Sequence, residues 1–356
     1  MENMEYREVE HGGDWSGFYA EHGYMPLDFS ANVSPLGMPE SARSAAEKLL
    51  ASGNEISAYP DPVCRMLRSA IADKYGISAD QIFCANGAAD IIYRLVLAVR
   101  PAKALLVAPD FGEYAEALRM TGTETAYYTA FRERVFSLTD DILSYINNDT
   151  DLVILSSPNN PSGYAAAPDL LSRILDRCRK VGALFVIDEC FLDFLPDAAE
   201  RTMLKHVSGS EGHLLVLRAF TKFYGMAGIR LGWCASENAE LLHDLMRVGP
   251  PWQVSAIAQA AGIAALSDIS YEENLRTLIA RERAYLCEGL KSRGYYVADS
   301  AANYILFHSE DPALHKRLAG QGIMIRNCDS YTGLTEGWYR IAVRTRRENE
   351  ILLSHL

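Results

Sequence analysis

The chain has 356 residues, of which 49% are apolar and 22% are charged, and these proportions are ordinary for a globular enzyme. Its 34 Lys and Arg residues against 46 Asp and Glu residues give a formal net charge of −12. This acidic balance argues against a general nucleic-acid-binding protein, which needs a basic face to neutralise phosphates.

The cysteines and the N-terminal residues limit the expected cellular location and the kinds of cofactor. Seven cysteines with no C-x-x-C pair favour neither a zinc site nor a disulfide framework, so we expect no metal and a reducing, cytoplasmic location. The first residues are charged and lack the apolar core of a signal peptide. No stretch reaches the ~18 apolar residues of a spanning helix, so we expect no membrane partner.

The length exceeds the ~250–300 residues at which a single core usually stops growing, so we predict one large and one smaller domain. Few periodic apolar positions precede residue 35, and we interpret residues 1–34 as an irregular N-terminal arm. The large domain then covers residues 35–249, and the small C-terminal domain covers residues 250–356.

In chain order, the large domain opens with two predicted helices, 41–50 and 63–75, and Gly76 ends the second one. Apolar runs with the length of buried strands then alternate with helical patterns. The predicted strands are 82–85, 104–108, 125–128, 152–156, 184–187 and 214–217, and the predicted helices between them are 91–99, 113–120 and 170–181. Buried strands separated by helices predict a mainly parallel central sheet sandwiched by helices, an α/β fold.

A smaller α+β unit is predicted at the C-terminal end. Pro250 and Pro251 follow a predicted helix over 238–248 and break the alternation. The elements predicted after them are a long helical region over 257–290 with an interruption near 267–270, a helix over 312–319, and strands over 295–298, 304–308, 323–326 and 338–343.

Polar motifs lie at the carboxyl ends of the predicted strands, where parallel sheets bind ligands. Asp188 directly follows a strand, so its carboxylate can keep a pyridinium nitrogen protonated or simply cap the next helix. The side-chain amide of Asn160 can hydrogen-bond a phenolic oxygen, or it can simply stabilise the turn in which it lies. Phe111 can stack on a flat cofactor or pack in the core, and Arg340 can clamp a carboxylate or form a surface salt bridge.

A lysine and a glycine turn complete the set of candidates. Lys222 lies beside the aromatic residues Phe220, Phe223 and Tyr224, and an apolar setting disfavours its ammonium form. It can therefore become a neutral amine nucleophile, the alternative being a solvated loop lysine. The turn at residues 86–90 opens a helix whose N–H groups make a phosphate site or an ordinary strand-to-helix turn.

Taken in order, these motifs resemble those of the fold-type I pyridoxal 5′-phosphate enzymes, specifically the class I and II aminotransferases that include the histidinol-phosphate aminotransferases. The shared motifs, which cover nearly the whole chain, are Tyr59-Pro, Asn86-Gly-x-x-acid, Pro-x-Phe111, Ser-Pro-Asn-Asn160-Pro, Asp188-Glu, Thr-Lys222, Arg230 and Arg340. The resemblance implies an enzyme with pyridoxal 5′-phosphate as its cofactor.

The same resemblance implies a role for each residue. Lys222 bonds covalently to the cofactor, Asp188 pairs with its ring nitrogen, and Asn160 contacts its phenolic oxygen. Phe111 stacks on the ring. The groups implied to hold the cofactor phosphate are Gly87, Ala88, Thr221, Arg230 and, from the other subunit of a homodimer, Tyr59.

Within the family, the segments 11–13, 28–37, 251–256 and 326–334 look most like the cobalamin-pathway threonine-phosphate decarboxylases. Phe191 also fits that group, because the transaminases commonly carry tyrosine there. The resemblance implies decarboxylation of L-threonine O-3-phosphate to (R)-1-amino-2-propanol O-2-phosphate in cobalamin biosynthesis. Three alternatives stay open: histidinol-phosphate transamination with 2-oxoglutarate, decarboxylation of L-serine O-phosphate, and a catalytically silent binding module.

A small phosphorylated amino acid needs groups for each of its anions. The resemblance assigns the carboxylate to Arg340 and places Asn32 among the substrate-binding residues. Candidates for the substrate phosphate are His11, Arg326 and Arg344. His11 is equally well interpreted as a hydrogen-bonded histidine of the arm, and Arg344 as part of a solvated surface.

Two positions depart from the family pattern. Ala219 stands where a hydroxyl residue often contacts the cofactor phosphate, and Asp90 replaces a frequent glutamate. Loss of one hydrogen bond to a charged group costs ~1.5–3 kcal/mol, so we expect weaker cofactor binding rather than none.

Overall fold

The structure, a computed structural model, describes residues 12–132 and 135–356, so His11 lies outside the described residues. Its strands are β1 (Leu27–Asp28), β2 (Ile82–Ala85), β3 (Lys103–Ala108), β4 (Glu124–Thr129), β5 (Phe131–Arg132), β6 (Val135–Phe136), β7 (Leu152–Ser156), β8 (Leu184–Asp188), β9 (Leu214–Ala219), β10 (Gly232–Ala235), β11 (Tyr296–Val297), β12 (Tyr304–His308), β13 (Ile323–Met324), β14 (Arg326–Asn327) and β15 (Trp338–Ala342).

Helices lie between and after these strands. They are α1 (Trp15–His22), α2 (Glu40–Ala51), α3 (Asn54–Ser57), α4 (Arg65–Tyr75), α5 (Ala88–Val99), α6 (Glu113–Met120), α7 (Pro168–Val181), α8 (Ala198–Arg201), α9 (Phe220–Phe223), α10 (Ala239–Arg247), α11 (Ala256–Leu266), α12 (Ile269–Lys291), α13 (Leu314–Ala319) and α14 (Arg346–His355). No described helix is both long enough and apolar enough to cross a membrane.

The central sheet has seven strands in the order β2-β10-β9-β8-β7-β3-β4. The pairs from β9 through β8, β7 and β3 to β4 are all parallel, whereas β10 runs antiparallel to both of its neighbours. Strands β2, β7 and β8 are almost entirely buried, which explains their continuous apolar sequences. The α/β fold with a mainly parallel sheet is therefore confirmed, and β10 is a strand that the sequence interpretation did not assign.

The strand order reverses between β3 and β7, and a crevice opens at this point. From β3 the chain continues to β4 on one side, and from β7 it continues to β8 on the other. The β3–β7 pairing stops at Leu106 and Ile154, although β7 stays paired with β8 as far as Ser156 and Asp188. A crevice at the carboxyl ends of strands on either side of such a reversal is where open α/β sheets bind ligands.

Helices cover both faces of this sheet. On one face, α5, α6 and α10 bury residues such as Ile91, Leu118 and Leu245 against the strands. On the other face, α4, α7 and α11 contribute to the larger core together with α12. Helix α11 lies after residue 250 but packs on α2 and α4, and the division at residue 249 stays a prediction.

The C-terminal part of the chain forms a four-stranded antiparallel sheet in the order β11-β12-β15-β14. Helix α14, which the sequence interpretation did not assign, packs on α12. It begins with a capping box between Thr345 and Glu348. Arg344 binds Glu348 at 2.6 Å and the carbonyl of Asp28 at 3.0 Å, so this arginine is used within the fold.

The N-terminal arm differs from the irregular segment that we predicted. Its described part contains α1, which Asp14 caps by accepting a hydrogen bond from the N–H of Gly17 at 3.0 Å. Strand β1 pairs in parallel with β13, and the carbonyl of Phe29 accepts a hydrogen bond from Ala342 of β15. The described arm is therefore joined to the C-terminal sheet of its own chain.

Candidate active site

A cavity of ≈ 210 Å³ lies at the carboxyl ends of the central strands. Its wall contains most of the residues predicted for the site, namely Asn32, Ala88, Phe111, Asn160, Asp188, Thr221, Lys222, Arg230, Arg326 and Arg340. Residues from β7, β8, β9, the N-terminal arm and the C-terminal sheet thus meet in one place. Among the residues that the structure describes, no group of three or more His, Cys, Asp or Glu side chains is arranged to hold a metal.

Lys222 lies in the single turn of α9, directly after β9, where Phe220, Phe223 and Tyr224 are all buried. Burial, together with the positive charges of Arg340 and Arg230, lowers the pKa of the Lys222 amine to about 8. The pattern of flanking aromatic residues had predicted such a desolvated setting. An amine with this pKa is partly unprotonated near neutral pH, as a nucleophile or a proton-transfer group requires.

Asp188 ends β8 and is 7% exposed. Its carboxylate accepts hydrogen bonds from the Tyr114 hydroxyl at 2.7 Å and from the backbone N–H of Cys190 at 2.8 Å. Burial raises the pKa of Asp188, and these hydrogen bonds and the charge of Lys222 oppose that rise. The next helical turn starts after Phe191, so Asp188 does not cap it.

Asn160 and Arg340 form a second group on the opposite side of the cavity. One Arg340 Nη donates to the side-chain Oδ1 of Asn160 and to the Tyr331 hydroxyl, and the other donates to the backbone carbonyl of Ser30 at 3.0 Å. The amide oxygen of Asn160 is thereby occupied, which leaves its NH₂ group for another acceptor. Arg340 Nε is buried and has no partner within the described residues, and no carboxylate pairs with this arginine there.

The N-terminus of α5 and Arg230 form the third group. Gly87 precedes the helix with φ 92°, and a Cβ at this position would lie 2.7 Å from a guanidinium nitrogen of Arg230. Glycine is therefore required both for its backbone angle and for the approach of Arg230. Arg230 itself donates to the carbonyl of Ala227 at 3.2 Å. A cation beside the first N–H groups of a helix is a suitable environment for a phosphate.

Asp90, one of the two departures, is fully used. Its carboxylate accepts a hydrogen bond from the N–H of Asn86 at 3.1 Å and pairs with Arg94 at 2.8 Å. Arg94 in turn donates to the carbonyl of Leu245 in α10. Asp90 thus holds the glycine turn in place, while Ala219, the other departure, lines the cavity without a hydroxyl.

The structure adds two tyrosines that the sequence interpretation missed. Tyr114 is one helical turn after Phe111 and reaches Asp188, and Tyr331 lies within the 326–334 segment and reaches Arg340. Tyr114 could have been predicted from the sequence, because it lies three residues after Phe111, the candidate ring-stacking residue. Tyr331 could not, because it lies in a loop and its partner Arg340 lies in β15.

Tyr59 lies apart from the cavity of its own chain. Its side chain is 80% exposed and stacks on Trp252 with ring centroids 4.5 Å apart. Its position across a subunit interface stays a prediction.

The chain matches the family model for aminotransferase class I and II over residues 25–356. The chain belongs to the class I and II aminotransferase family. This aminotransferase-family enzyme is 34% identical over 352 residues to the threonine-phosphate decarboxylase of Salmonella typhimurium, covering 97% of this chain and 95% of that protein.

More distant similarity is to histidinol-phosphate aminotransferases. The enzyme from Sphingopyxis alaskensis is 32% identical over 311 residues, covering 84% of this chain and 82% of that protein. The crystal structure of the enzyme from Clostridium acetobutylicum superposes with a TM-score of 0.85 at 26% identity, covering 92% of this chain and 97% of that one. The order of resemblance stated from the motifs is thereby confirmed.

The aminotransferase-family enzyme uses pyridoxal 5′-phosphate, and the residues of the cavity fit this cofactor. A buried carboxylate, Asp188, is available for the ring nitrogen, and no described cation forms an ion pair with it. A helix N-terminus with Arg230 is available for the phosphate, and Lys222 for the aldehyde. The individual contacts of these residues with the cofactor stay proposals.

Proposed function

We propose that this enzyme decarboxylates L-threonine O-3-phosphate to (R)-1-amino-2-propanol O-2-phosphate in cobalamin biosynthesis. The observation that carries the proposal is the similarity to a threonine-phosphate decarboxylase over 97% of the chain. A relative at 30% identity is a bifunctional protein of adenosylcobalamin biosynthesis, which supports the same pathway.

The charges of the cavity support this substrate class. Threonine phosphate carries a carboxylate and a phosphate, and two arginines, Arg340 and Arg326, line the cavity from the C-terminal sheet. Histidinol phosphate itself has no carboxylate, so in a transaminase the second arginine would serve only the 2-oxoglutarate co-substrate. We assign the carboxylate to buried Arg340, with Asn32 beside it, and the phosphate to Arg326, which is partly exposed and also contacts Ser330.

Pyridoxal phosphate, when bound, supplies a conjugated system that takes up the electron pair of the bond broken at the substrate α-carbon. The protein decides which bond that is, because Arg340 and Arg326 together fix the orientation of the substrate. In decarboxylation the carboxylate leaves as carbon dioxide, and a proton must then be delivered to the α-carbon. Lys222 Nζ is the group that we assign to this delivery, since its lowered pKa leaves both protonation states accessible.

Phe191 favours decarboxylation over transamination in this proposal. Its ring lines the cavity, is 7% exposed and packs edge-on against Tyr304 at 4.8 Å. The transaminases of the family commonly have a tyrosine hydroxyl at this position.

The deciding experiment incubates the enzyme, loaded with pyridoxal phosphate, with L-threonine phosphate and measures carbon dioxide and the aminopropanol phosphate. L-Serine phosphate and histidinol phosphate with 2-oxoglutarate are assayed in parallel. We expect carbon dioxide release that Lys222→Ala abolishes. Glutamate formation from 2-oxoglutarate without carbon dioxide would identify a histidinol-phosphate aminotransferase, and faster release from serine phosphate would change the substrate.

The proposal includes a homodimer in which Tyr59 reaches the cofactor phosphate of the partner subunit. The high exposure of Tyr59 and Trp252 on one chain supports it. Light scattering should give twice the chain mass, and Tyr59→Phe should weaken cofactor binding without changing that mass. A monomer that binds the cofactor with full affinity would exclude this role.

A further inference from the structure

The crevice between β3 and β7 is bridged by a side chain rather than by the sheet. The backbone pairing of these strands ends at Leu106 and Ile154, two residues before β7 itself ends. Beyond that point, Asp110 follows β3 and its carboxylate accepts a hydrogen bond from the N–H of Ser156 at 3.0 Å. The carboxylate thus takes the place of a ladder hydrogen bond where the strands diverge.

Asp110 makes two further hydrogen bonds through its other oxygen. This oxygen accepts from the Ser156 hydroxyl and from the N–H of Phe111 at 2.8 Å. Ser156 Oγ in turn accepts from the N–H of Asn160 at 3.2 Å. A single carboxylate is therefore linked to the backbone of Phe111 on one side of the crevice and, through Ser156, to that of Asn160 on the other.

A second hydrogen bond crosses the same crevice. The side-chain NH₂ group of Asn159 donates to the backbone carbonyl of Pro109 at 3.0 Å. Asn159 and Pro109 are next in sequence to Asn160 and Asp110. Asp110 itself does not line the cofactor cavity, whereas Phe111, Ser156 and Asn160 do. Asp110 can therefore influence a ligand in the cavity by placing these three residues, and its charge also acts on Asp188.

We propose that Asp110 is a positioning residue that sets the width of the crevice, and so the separation of the groups on its two sides that contact the cofactor ring. This role applies equally to a decarboxylase and to a transaminase, so it does not depend on which substrate the enzyme takes.

The chemistry of the site explains why an acid is present. Each oxygen of Asp110 faces N–H or O–H donors, so both must be acceptors, and an amide would turn one NH₂ group toward a donor. Burial raises the pKa of Asp110 and nearby Asp188 adds to the rise, while the hydrogen bonds from Ser156 and Phe111 oppose it, and the resulting pKa is about 7. Burial of a carboxylate is unfavourable because of its desolvation, and the hydrogen bonds across the crevice compensate for that free-energy cost.

The test compares Asp110→Asn with a matched control at the other end of the same two strands. There Asp151, just before β7, accepts hydrogen bonds from the N–H groups of Ala102 and Lys103 at 2.7 and 2.9 Å. Asp151→Asn also weakens a carboxylate bridge between β3 and β7, but far from the cavity. For each protein, cofactor affinity and the visible circular dichroism of the bound cofactor are measured without substrate.

We expect Asp110→Asn to weaken cofactor binding about tenfold, because an amide cannot keep all of these hydrogen bonds and the groups on the two sides of the crevice shift. The circular dichroism band should change for the same reason. Asp151→Asn should leave both at their wild-type values. Equal effects of the two substitutions, or a wild-type affinity and spectrum in Asp110→Asn, would overturn the proposal.

Ser156→Ala keeps the test decisive if Asp110→Asn does not fold. It removes only the hydroxyl that joins Asp110 to the Asn160 backbone and leaves the N–H bond to Asp110. We expect a smaller loss of affinity, about threefold, with a changed spectrum. Because all these measurements precede turnover, they fail or succeed independently of the substrate assay.

Discussion

Two buried arginines lie in different sheets, Arg218 in the central sheet and Arg340 in the C-terminal sheet, and they have opposite surroundings. Arg218 in β9 is 2% exposed and binds Glu189 at 2.7 Å and Asp193 at 2.6 Å. Arg340 in β15 is 6% exposed, but its described partners are neutral: an amide oxygen, a hydroxyl and a backbone carbonyl. One guanidinium is neutralised within the fold and the other is not.

This contrast fits a structural role for Arg218 and the ligand-binding role that we propose for Arg340. Burying a charge without a counter-ion is unfavourable, so we expect an incoming carboxylate to bind Arg340 in part because the binding removes that cost. The same uncompensated charge lowers the pKa of Lys222. A cationic cavity therefore exists inside a chain whose net charge is −12.

The largest effect on stability should follow removal of the paired arginine. Arg218→Met leaves Glu189 and Asp193 without their cation, which costs about 3–5 kcal/mol of unfolding free energy for a buried pair. Denaturant unfolding measures the loss. Arg43→Met, which removes a surface arginine paired with Glu40 and Glu47, is the control and should change stability little. Equal stability of the two variants would contradict the structural role of Arg218.

The unpaired arginine should show the reverse pattern. Arg340→Met is expected to lower kcat/KM for the phosphorylated amino acid about 100-fold, since the substrate carboxylate loses its charged hydrogen bonds. Its unfolding free energy should stay close to that of the wild type, because no carboxylate is left behind. A loss of stability as large as that of Arg218→Met would remove the distinction between the two sites.

The difference in unfolding free energy between Lys222→Met and the wild type should depend on pH. The folded apoenzyme disfavours the ammonium form, with a pKa of about 8 against ~10.4 in the unfolded chain. Below pH 8 this difference lowers the free energy of unfolding by its full amount. The loss disappears as pH rises from about 8 to ~10.4, because the unfolded chain then also loses its proton. The variant should therefore be about 3 kcal/mol more stable than wild type at pH 7, with convergence at high pH. A constant difference across pH would exclude titration of Lys222 as its cause.

The smallest expected effect comes from the neutral partner of Asp188. Tyr114→Phe removes a hydrogen bond of 2.7 Å that favours the carboxylate form, so the pKa of Asp188 rises further. Cofactor affinity should fall about fivefold, corresponding to roughly 1 kcal/mol. Tyr128→Phe, which loses a hydroxyl that bonds Asp141 away from the cavity, serves as the control. Equal affinities in the two variants would show that Tyr114 does not support Asp188.

The regular elements were predictable because buried strands and amphipathic helices have strong periodic signals. Strand 152–156 and helix 113–120 have the predicted bounds, and β8 and β9 differ by only one or two residues at their ends. The spacing of Ser78 and Gln81 is that of a capping box, and an apolar run that indicates a strand follows it directly. The structure has both, because a short 3₁₀ turn at Ala79–Gln81 precedes β2.

Contacts between distant segments were not predictable in the same way. Nothing in the sequence around Arg218 and Arg340 distinguishes the paired arginine from the unpaired one, since the partners of each come from other strands and loops. The residues Ser156, Asp110 and Tyr331 gave no signal either, because their roles depend on how far two strands diverge or on where a loop closes. Motif order located the cavity residues, whereas packing alone determines what holds them in place.

The pairing of β1 with β13 has a consequence for synthesis of the chain. Residues 27 and 28 leave the ribosome well before their partners at 323 and 324 are made. The carbonyl of Ser30, which Arg340 contacts, belongs to the same early segment. Domains generally fold as they emerge, so the central sheet can form before the cavity wall is complete. The contact between Ser30 and Arg340 should therefore form late, only after residue 340 has been translated.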